Sequence, residues 1–122
     1  MNAAPVPVAR LQLLGDFELS FGDEVLRVTQ SAQRLLALLA VCHRGRPAGR
    51  SAVAERLWPE APQARTASNL RSVLWRLPRP RGRALVTGTS TSVRLWDGLR
   101  VDLWEAEEQT RRLCADDAPP PE

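Results

Sequence analysis

The amino-acid sequence predicts an α+β fold in which short antiparallel strands are followed by three helices and a β-hairpin. Two observations predict it. Apolar and polar residues alternate in the segments near both ends of residues 10–102, which is the period of a strand with one buried face. Between these segments apolar residues recur every three or four positions, the period of an amphipathic helix. The 122 residues suffice for one small domain with a core, which we place at residues 10–102.

The first strands follow from a period of two near the N-terminus. Leu11 and Leu13, and later Leu19 and Phe21, alternate with polar residues. Gly22 begins a turn toward a further apolar segment. This pattern predicts a short N-terminal antiparallel sheet of two or three strands.

Two helices are expected next. The first is apolar enough to lie at the centre of the core, with Thr29 or Ser31 as its N-cap and Gly45 just past its end. The second is shorter and runs from about Ser51 to Trp58, where a proline stops it. These two helices begin a predicted three-helix core.

The third helix, within residues 64–83, combines an apolar stripe with a polar face of a single charge sign. At 100° per residue, one stripe is apolar: Ala67, Leu70, Leu74 and Leu77. The polar face carries arginine, serine and asparagine, and no carboxylate occurs between Glu60 and Asp97. Pro78 ends the helix.

A β-hairpin is predicted over residues 85–96, with glycine, serine and threonine at its tip. Strands, two helices, a basic helix and a hairpin, in that order, define a winged helix-turn-helix whose wing is the C-terminal hairpin. Outside this domain, residues 1–9 are expected to be disordered. Residues 103–122 are expected to form an acidic helical extension with a proline-rich tail.

Charge is unevenly distributed along the chain. All 17 basic residues are arginine, and residues 1–101 hold fifteen of them against seven acids, a net charge of +8. Residues 102–122 carry a net charge of −5, whereas residues 44–83 alone carry +8. A basic domain followed by an acidic extension points to a polyanionic partner for the domain.

The composition argues against several classes of protein. No apolar run approaches the roughly 20 residues that cross a bilayer, and the N-terminus lacks the features of a signal peptide. There is one histidine, and no glycine-rich phosphate loop or cluster of carboxylates outside the acidic extension. We therefore expect a cytoplasmic protein that is not an enzyme, with no membrane, metal, cofactor or small-molecule substrate.

Double-stranded DNA is the polyanion that the basic helix fits best. Arginine can bond guanine, asparagine can bond adenine, and serine can bond a base or a phosphate. The helix candidates for DNA contact are Arg65, Ser68, Asn69, Ser72 and Arg76. For Arg71, on the flank of the wheel, bracing the fold and contacting DNA are both open. Trp75 could pack on a neighbouring element or meet a partner protein.

Loop arginines and the hairpin supply the remaining candidates. They are Arg46, Arg50, Arg79, Thr89, Ser90, Thr91 and Arg94. Short hydroxyl side chains at a wing can donate to phosphate oxygens, although the same residues also make tight turns. The competing hypothesis for the whole domain is a winged-helix protein-interaction module in a regulatory system, without direct DNA binding.

Several segments together resemble the SARP-type transcriptional regulators, whose DNA-binding domain is an OmpR/PhoB-type winged helix. They are LQLLGDFEL, AQRLLALLA, AVAERLWPEAP and NLRSVLWRL, followed by LVTGTSTSVRL. The resemblance covers roughly residues 10–113. It implies sequence-specific binding of double-stranded DNA for transcription regulation, with RNA polymerase and a second copy of the protein as further partners. Residues 103–113 resemble the first helix of the bacterial transcriptional activation domain that follows in that family, or the linker to it.

Overall fold

The computed structural model describes residues 7–116 and contains four α-helices and two small β-sheets within that range. The predicted α+β class is therefore confirmed. Most of the N-terminal segment expected to be disordered, residues 1–6, lies outside the described residues. So do residues 117–122 of the proline-rich tail.

The first sheet contains strands from both ends of the domain. Strands β1 (Ala9–Gln12), β2 (Glu18–Phe21) and β3 (Glu24–Leu26) form an antiparallel meander, and β7 (Arg100–Val101) pairs parallel to β1. The strand order is β3-β2-β1-β7. Leu11 is buried between two exposed neighbours, as the period of two predicted.

Helix α1 (Gln30–Leu38) starts at Thr29, whose hydroxyl oxygen accepts a hydrogen bond from the Ala32 N–H at 3.2 Å. This is the N-cap interaction that satisfies a backbone donor of the first turn. The helix continues into one turn of π-helix, Leu39–His43, and ends at Arg44 in the left-handed conformation (φ 53°).

Helices α2 (Arg50–Leu57) and α3 (Gln63–Arg76) pack on each other and on α1. Pro62 precedes the first residue of α3, and the helix stops before Leu77, whose backbone is extended. Since Pro78 follows, its ring disfavours helical backbone at residue 77. The prediction that this proline limits the helix agrees with the observed end.

The buried stripe of α3 is rotated from the predicted one. Its members, which continue past the helix end, are Thr66, Leu70, Val73 and Leu77. Ala67 is exposed and Leu74 is half-buried, so the prediction that placed Ala67 in the core is wrong. Burial of Thr66 is tolerated because its hydroxyl donates to the Gln63 carbonyl at 2.8 Å.

The second sheet joins the predicted hairpin to a short strand between the first two helices. Strands β5 (Val86–Gly88) and β6 (Ser92–Leu95) form the hairpin, and β4 (Ala48–Gly49) pairs with β6 on its other edge. The order is β4-β6-β5. Because β4 leads directly into α2, this pairing fixes the hairpin beside the start of that helix.

Helix α4 (Asp102–Asp116) is docked on the domain. The Asp102 carboxylate accepts hydrogen bonds from the backbone N–H groups of Leu13 (2.8 Å) and Leu14 (3.0 Å). Leu103 and Trp104 are partly buried against the core. The acidic extension thus begins as a helix anchored on the end of β1.

One apolar core connects the two sheets and the helices. Its largest fully buried side chains include Leu11, Leu19, Leu35, Leu36, Leu39, Leu70, Leu85 and Leu95. Across residues 7–116, none of the helices has both the length and the apolar character that a membrane crossing requires.

Candidate nucleic-acid interface

Two surface grooves lie along α3, one on each side of Arg71. The α2–α3 groove has a volume of about 230 Å³, and its lining includes Arg50, Gln63, Ala67, Arg71 and Ser90. The α3–hairpin groove has a volume of about 240 Å³ and is lined by these residues: Arg50, Arg71, Leu74, Trp75, Arg79, Val86, Thr87, Gly88 and Val93. Arg50 and Arg71 line both grooves and therefore stand where the two meet.

Arg50 connects α2 to the tip of the hairpin. It is the first residue of α2, and its backbone N–H donates to the Thr91 carbonyl at 2.9 Å. Its guanidinium Nη1 donates to the Thr89 carbonyl at 3.3 Å. Together with the β4–β6 pairing, these bonds hold the hairpin tip next to the helices. Arg50 is half-buried, so part of its charged group remains available at the surface.

The hydroxyl groups at the hairpin tip have different environments. The Thr89 hydroxyl oxygen accepts hydrogen bonds from the backbone N–H groups of Thr91 (3.2 Å) and Ser92 (3.1 Å). Thr89 therefore stabilises the turn, which is the role that the sequence analysis gave as the alternative to phosphate contact. Ser90 and Thr91 are exposed, and Ser90 borders the α2–α3 groove.

The rotated stripe of α3 decides which side chains point away from the core. Ser68 and Ser72 are exposed and lie opposite the buried stripe. Arg65 and Arg76 are exposed but lie nearer the edges of this outward face, and Asn69 is half-buried. The five helix candidates are therefore not equivalent. The two serines lie near the middle of the outward face of α3, the two arginines lie nearer its edges, and the asparagine lies at its side.

Arg71 and Trp75 belong to the outward face of α3, although the sequence analysis placed Arg71 on the flank of the helical wheel. Arg71 is exposed, and Trp75 is 84% exposed. The sequence also allows this arrangement, because an apolar stripe through Val73 instead of Leu74 has helical spacing as well. With that stripe buried, Arg71 and Trp75 lie farther from the core. Only packing decides between the two stripes.

Of the four arginine candidates outside α3, Arg46 and Arg94 lie apart from the α3 grooves. Arg46 follows Gly45, where an added Cβ would lie 3.4 Å from the Trp104 ring, and this places the loop beside α4. Arg94 forms an ion pair with Asp97. Neither arginine lines either groove along α3.

Two loop arginines after α3 contact aromatic rings. The guanidinium carbon of Arg83 lies 4.6 Å from the ring centroid of Trp96, and that of Arg81 lies 5.9 Å from the ring centroid of Phe21. Both distances suit cation–π contacts. These contacts tie the segment after α3 to the hairpin and to β2. Arg79 is the arginine of this loop that lines one of the two grooves along α3.

Neither a model of a protein family, nor a curated protein, nor a solved structure is similar to this chain. The side chains and the charge of the two grooves therefore provide the evidence for function. Over the described part of the chain, no three histidine, cysteine or acidic side chains cluster as metal ligands would.

The arginines that line the grooves are not neutralised by neighbouring acids. Within residues 7–116 the ion pairs involve five arginines: Arg44, Arg94, Arg100, Arg111 and Arg112. Arg50, Arg71 and Arg79 are not among them. Glu55 is the acid that also lines the α2–α3 groove. Both grooves thus carry a net positive charge, which attracts a polyanion.

Proposed function

We propose that this protein is a sequence-specific double-stranded DNA-binding module of a transcriptional regulator. The observation that carries the proposal is the outward face of α3, where Ser68, Arg71 and Ser72 are exposed and Arg71 lines a groove together with the hairpin. Among residues 7–116, no acid forms an ion pair with Arg71. Such a face supplies base-edge donors and acceptors together with positive charge.

The arrangement of the elements supports a winged helix of the OmpR/PhoB type. Helices α2 and α3 pack together after α1, and the β5–β6 hairpin follows α3 and lies next to it. In this arrangement α3 is the recognition helix and the hairpin is the wing. The resemblance of the sequence to SARP-type regulators favours the same assignment.

The dimensions of α3 suit a major groove. Its 14 residues span about 21 Å, and the major groove of B-DNA is about 12 Å wide, enough to admit an α-helix. In the proposed complex Ser68, Arg71 and Ser72 contact base edges, while Arg65 and Arg76 contact the phosphates on either side. Ser90 and Thr91 at the wing tip contact the backbone beyond.

Further partners follow from the regulatory role. A second copy of the protein on a neighbouring site and RNA polymerase are the partners we propose, both by resemblance to the SARP-type regulators. A DNA-binding regulator of this kind acts in the cytoplasm. Because α4 is anchored to β1, a segment that follows α4 would be held in a defined position relative to the DNA.

The proposal is tested by selection from random duplexes, followed by titration of the enriched duplex at several salt concentrations. We expect one enriched sequence, with affinity that falls by about a thousandfold or more between 50 and 200 mM salt if about six phosphates are contacted. A scrambled duplex of equal length is the control and should bind more weakly. Failure to enrich any sequence, with no duplex bound at 50 mM salt, would contradict the proposal.

A protein-interaction module without direct DNA binding is the second candidate. The observation that favours it is the exposure of Trp75, since exposed aromatic side chains are frequent at protein interfaces. A purified partner that binds with little dependence on salt, in the absence of any DNA binding, would support this alternative.

A further inference from the structure

We infer that the α3–hairpin groove holds the sugar–phosphate backbone of one DNA strand, with the Trp75 ring against a deoxyribose and arginines against the flanking phosphates. These arginines are Arg50 and Arg79, whereas Arg71, which also lines the groove, keeps its proposed contact with a base edge. This inference rests on the proposed function and assigns to Trp75 a contact that adds affinity without sequence preference.

Trp75 is unusual among the four tryptophans of the chain. Trp58, Trp96 and Trp104 are partly buried and pack against the core. Trp75 is 84% exposed in the last turns of α3, on a face that is otherwise polar. Core packing does not explain an exposed indole, whereas burial against a ligand would remove its apolar surface from water.

The groove beside Trp75 is amphipathic. Val86, Gly88 and Val93 of the hairpin and Leu74 of α3 contribute its apolar lining, and three arginines contribute its positive charge. The arginines come from three different parts of the chain, because Arg50 starts α2, Arg71 lies within α3 and Arg79 follows α3. A nucleic-acid strand alternates apolar sugars with charged phosphates, so its chemistry matches both parts of the lining.

The position of the α3–hairpin groove favours contact with the sugar–phosphate backbone of the DNA over contact with its base edges. If α3 lies in the major groove, the strand that borders this groove must pass between α3 and the neighbouring hairpin. Trp75 offers a single hydrogen-bond donor, the indole N–H, and a large apolar face. Distinguishing bases in the major groove needs specific donors and acceptors, which the serines and arginines of α3 supply better.

The test compares the variants Trp75→Ala and Trp75→Phe on the selected duplex and on its scrambled control. We expect Trp75→Ala to lower affinity for both duplexes by the same factor, about tenfold or about 1.4 kcal/mol, and Trp75→Phe to retain most of the affinity. The slope of log affinity against log salt should stay unchanged, because tryptophan carries no charge. Arg79→Ala should reduce that slope by about one phosphate contact.

Two controls separate a contact with DNA from an effect on the fold. Leu113→Ala removes another large exposed side chain, 66% exposed on α4, and should leave both affinities unchanged. The tryptophan fluorescence of the wild-type protein should change on DNA binding, and Trp75→Phe should lose most of that change. Thermal melting of the Trp75 variants should match that of the wild type, since the side chain is exposed.

Three outcomes would overturn the inference. An unchanged affinity of Trp75→Ala for both duplexes would show that the ring does not contact DNA. A loss of affinity confined to the selected duplex, with the scrambled duplex bound as before, would show that the ring contacts a base. If the wild-type protein binds neither duplex at 50 mM salt, the proposed function fails as well; the other two outcomes leave the proposed function intact.

Discussion

The indole Nε1 of Trp104 donates a hydrogen bond to the backbone carbonyl of Ala40 across 2.9 Å, and this bond joins α4 to the π-helical turn that follows α1. In a continuous α-helix the N–H of Arg44 would bond to that carbonyl. The π-helical turn directs the Arg44 N–H to the carbonyl of Leu39 instead, at 3.0 Å. The indole thus provides the buried Ala40 carbonyl with a donor in place of its helical partner.

Replacing Trp104 with phenylalanine should therefore destabilise the domain. The phenyl ring keeps most of the packing but leaves the Ala40 carbonyl without its donor, so the free energy of unfolding should fall by about 1–3 kcal/mol. Urea denaturation followed by circular dichroism measures this change. Trp75→Phe, at an exposed position, is the matched control and should be nearly neutral. Equal losses in the two variants would contradict the role of the indole N–H.

The ion pair between Arg44 and Glu107 should make the stability of the fold depend on pH in the acidic range. The hydrogen bond from Arg44 lowers the pKa of the Glu107 carboxyl below its ordinary value, and the charge of Arg44 adds to this effect. A carboxyl group with a lowered pKa in the folded state stabilises the fold above its ordinary pKa. That stabilisation is lost as pH falls through the folded-state pKa.

We therefore expect the melting temperature of the wild type to fall more steeply than that of Glu107→Gln between about pH 5 and pH 3. The difference should be small because both side chains remain in contact with water, at 43% exposure for Arg44 and 36% for Glu107. Thermal melts of the two proteins over this range measure it, with Glu60→Gln as the control, because Glu60 is exposed and takes part in none of the ion pairs found in residues 7–116. Parallel curves for the wild type and Glu107→Gln would show that the ion pair contributes nothing measurable.

Two positions in the stripe predicted from the sequence, Leu70 and Ala67, should affect stability differently, because the stripe that is buried in the structure includes only Leu70. Leu70→Ala should lower the free energy of unfolding by about 2–5 kcal/mol, because Leu70 is buried in the core. Ala67→Ser should cost no more than about 0.5 kcal/mol, since Ala67 is exposed and only helix propensity changes. Chemical denaturation measures both. A loss of stability for Ala67→Ser well above this value would indicate that Ala67 is buried, as the stripe predicted from the sequence requires.

Arg71 should contribute more to DNA affinity than an arginine outside the grooves. We expect Arg71→Ala to weaken binding to the selected duplex by about 1–3 kcal/mol, because Arg71 stands between the two grooves on the outward face of α3. Arg112→Ala removes the same charge from α4, where Arg112 pairs with Glu108 at 3.3 Å. Fluorescence anisotropy at fixed salt compares the two, and equal losses would indicate only a general charge effect.

Local sequence patterns predicted the elements of this fold because they depend on near neighbours along the chain. The alternation around Leu11 and Leu19 predicted strands, and Pro78 predicted the end of α3. The segment from Gly88 to Ser92 predicted a hairpin tip. The uneven distribution of arginine likewise needed no structure, since it is a property of composition along the chain.

The candidate site was predicted in part. The sequence placed the arginines and serines of residues 65–76 on one amphipathic helix, and the structure brings that helix next to the hairpin. Arg46 and Arg94 were candidates on the same grounds of charge, but they lie outside both grooves. Charge alone could not separate them from Arg50 and Arg79, because position relative to α3 depends on long-range packing.

The sequence by itself determined the class of the fold, the positions of the helices and hairpin, and the positive charge of α3. The tertiary structure alone decided that Val73 is buried more deeply than Leu74, that β7 pairs with β1, and that Trp104 bonds to Ala40. The physical reason is the range of the interactions. Helix and turn formation depend on residues a few positions apart, whereas these three contacts depend on which distant surfaces pack together to exclude water.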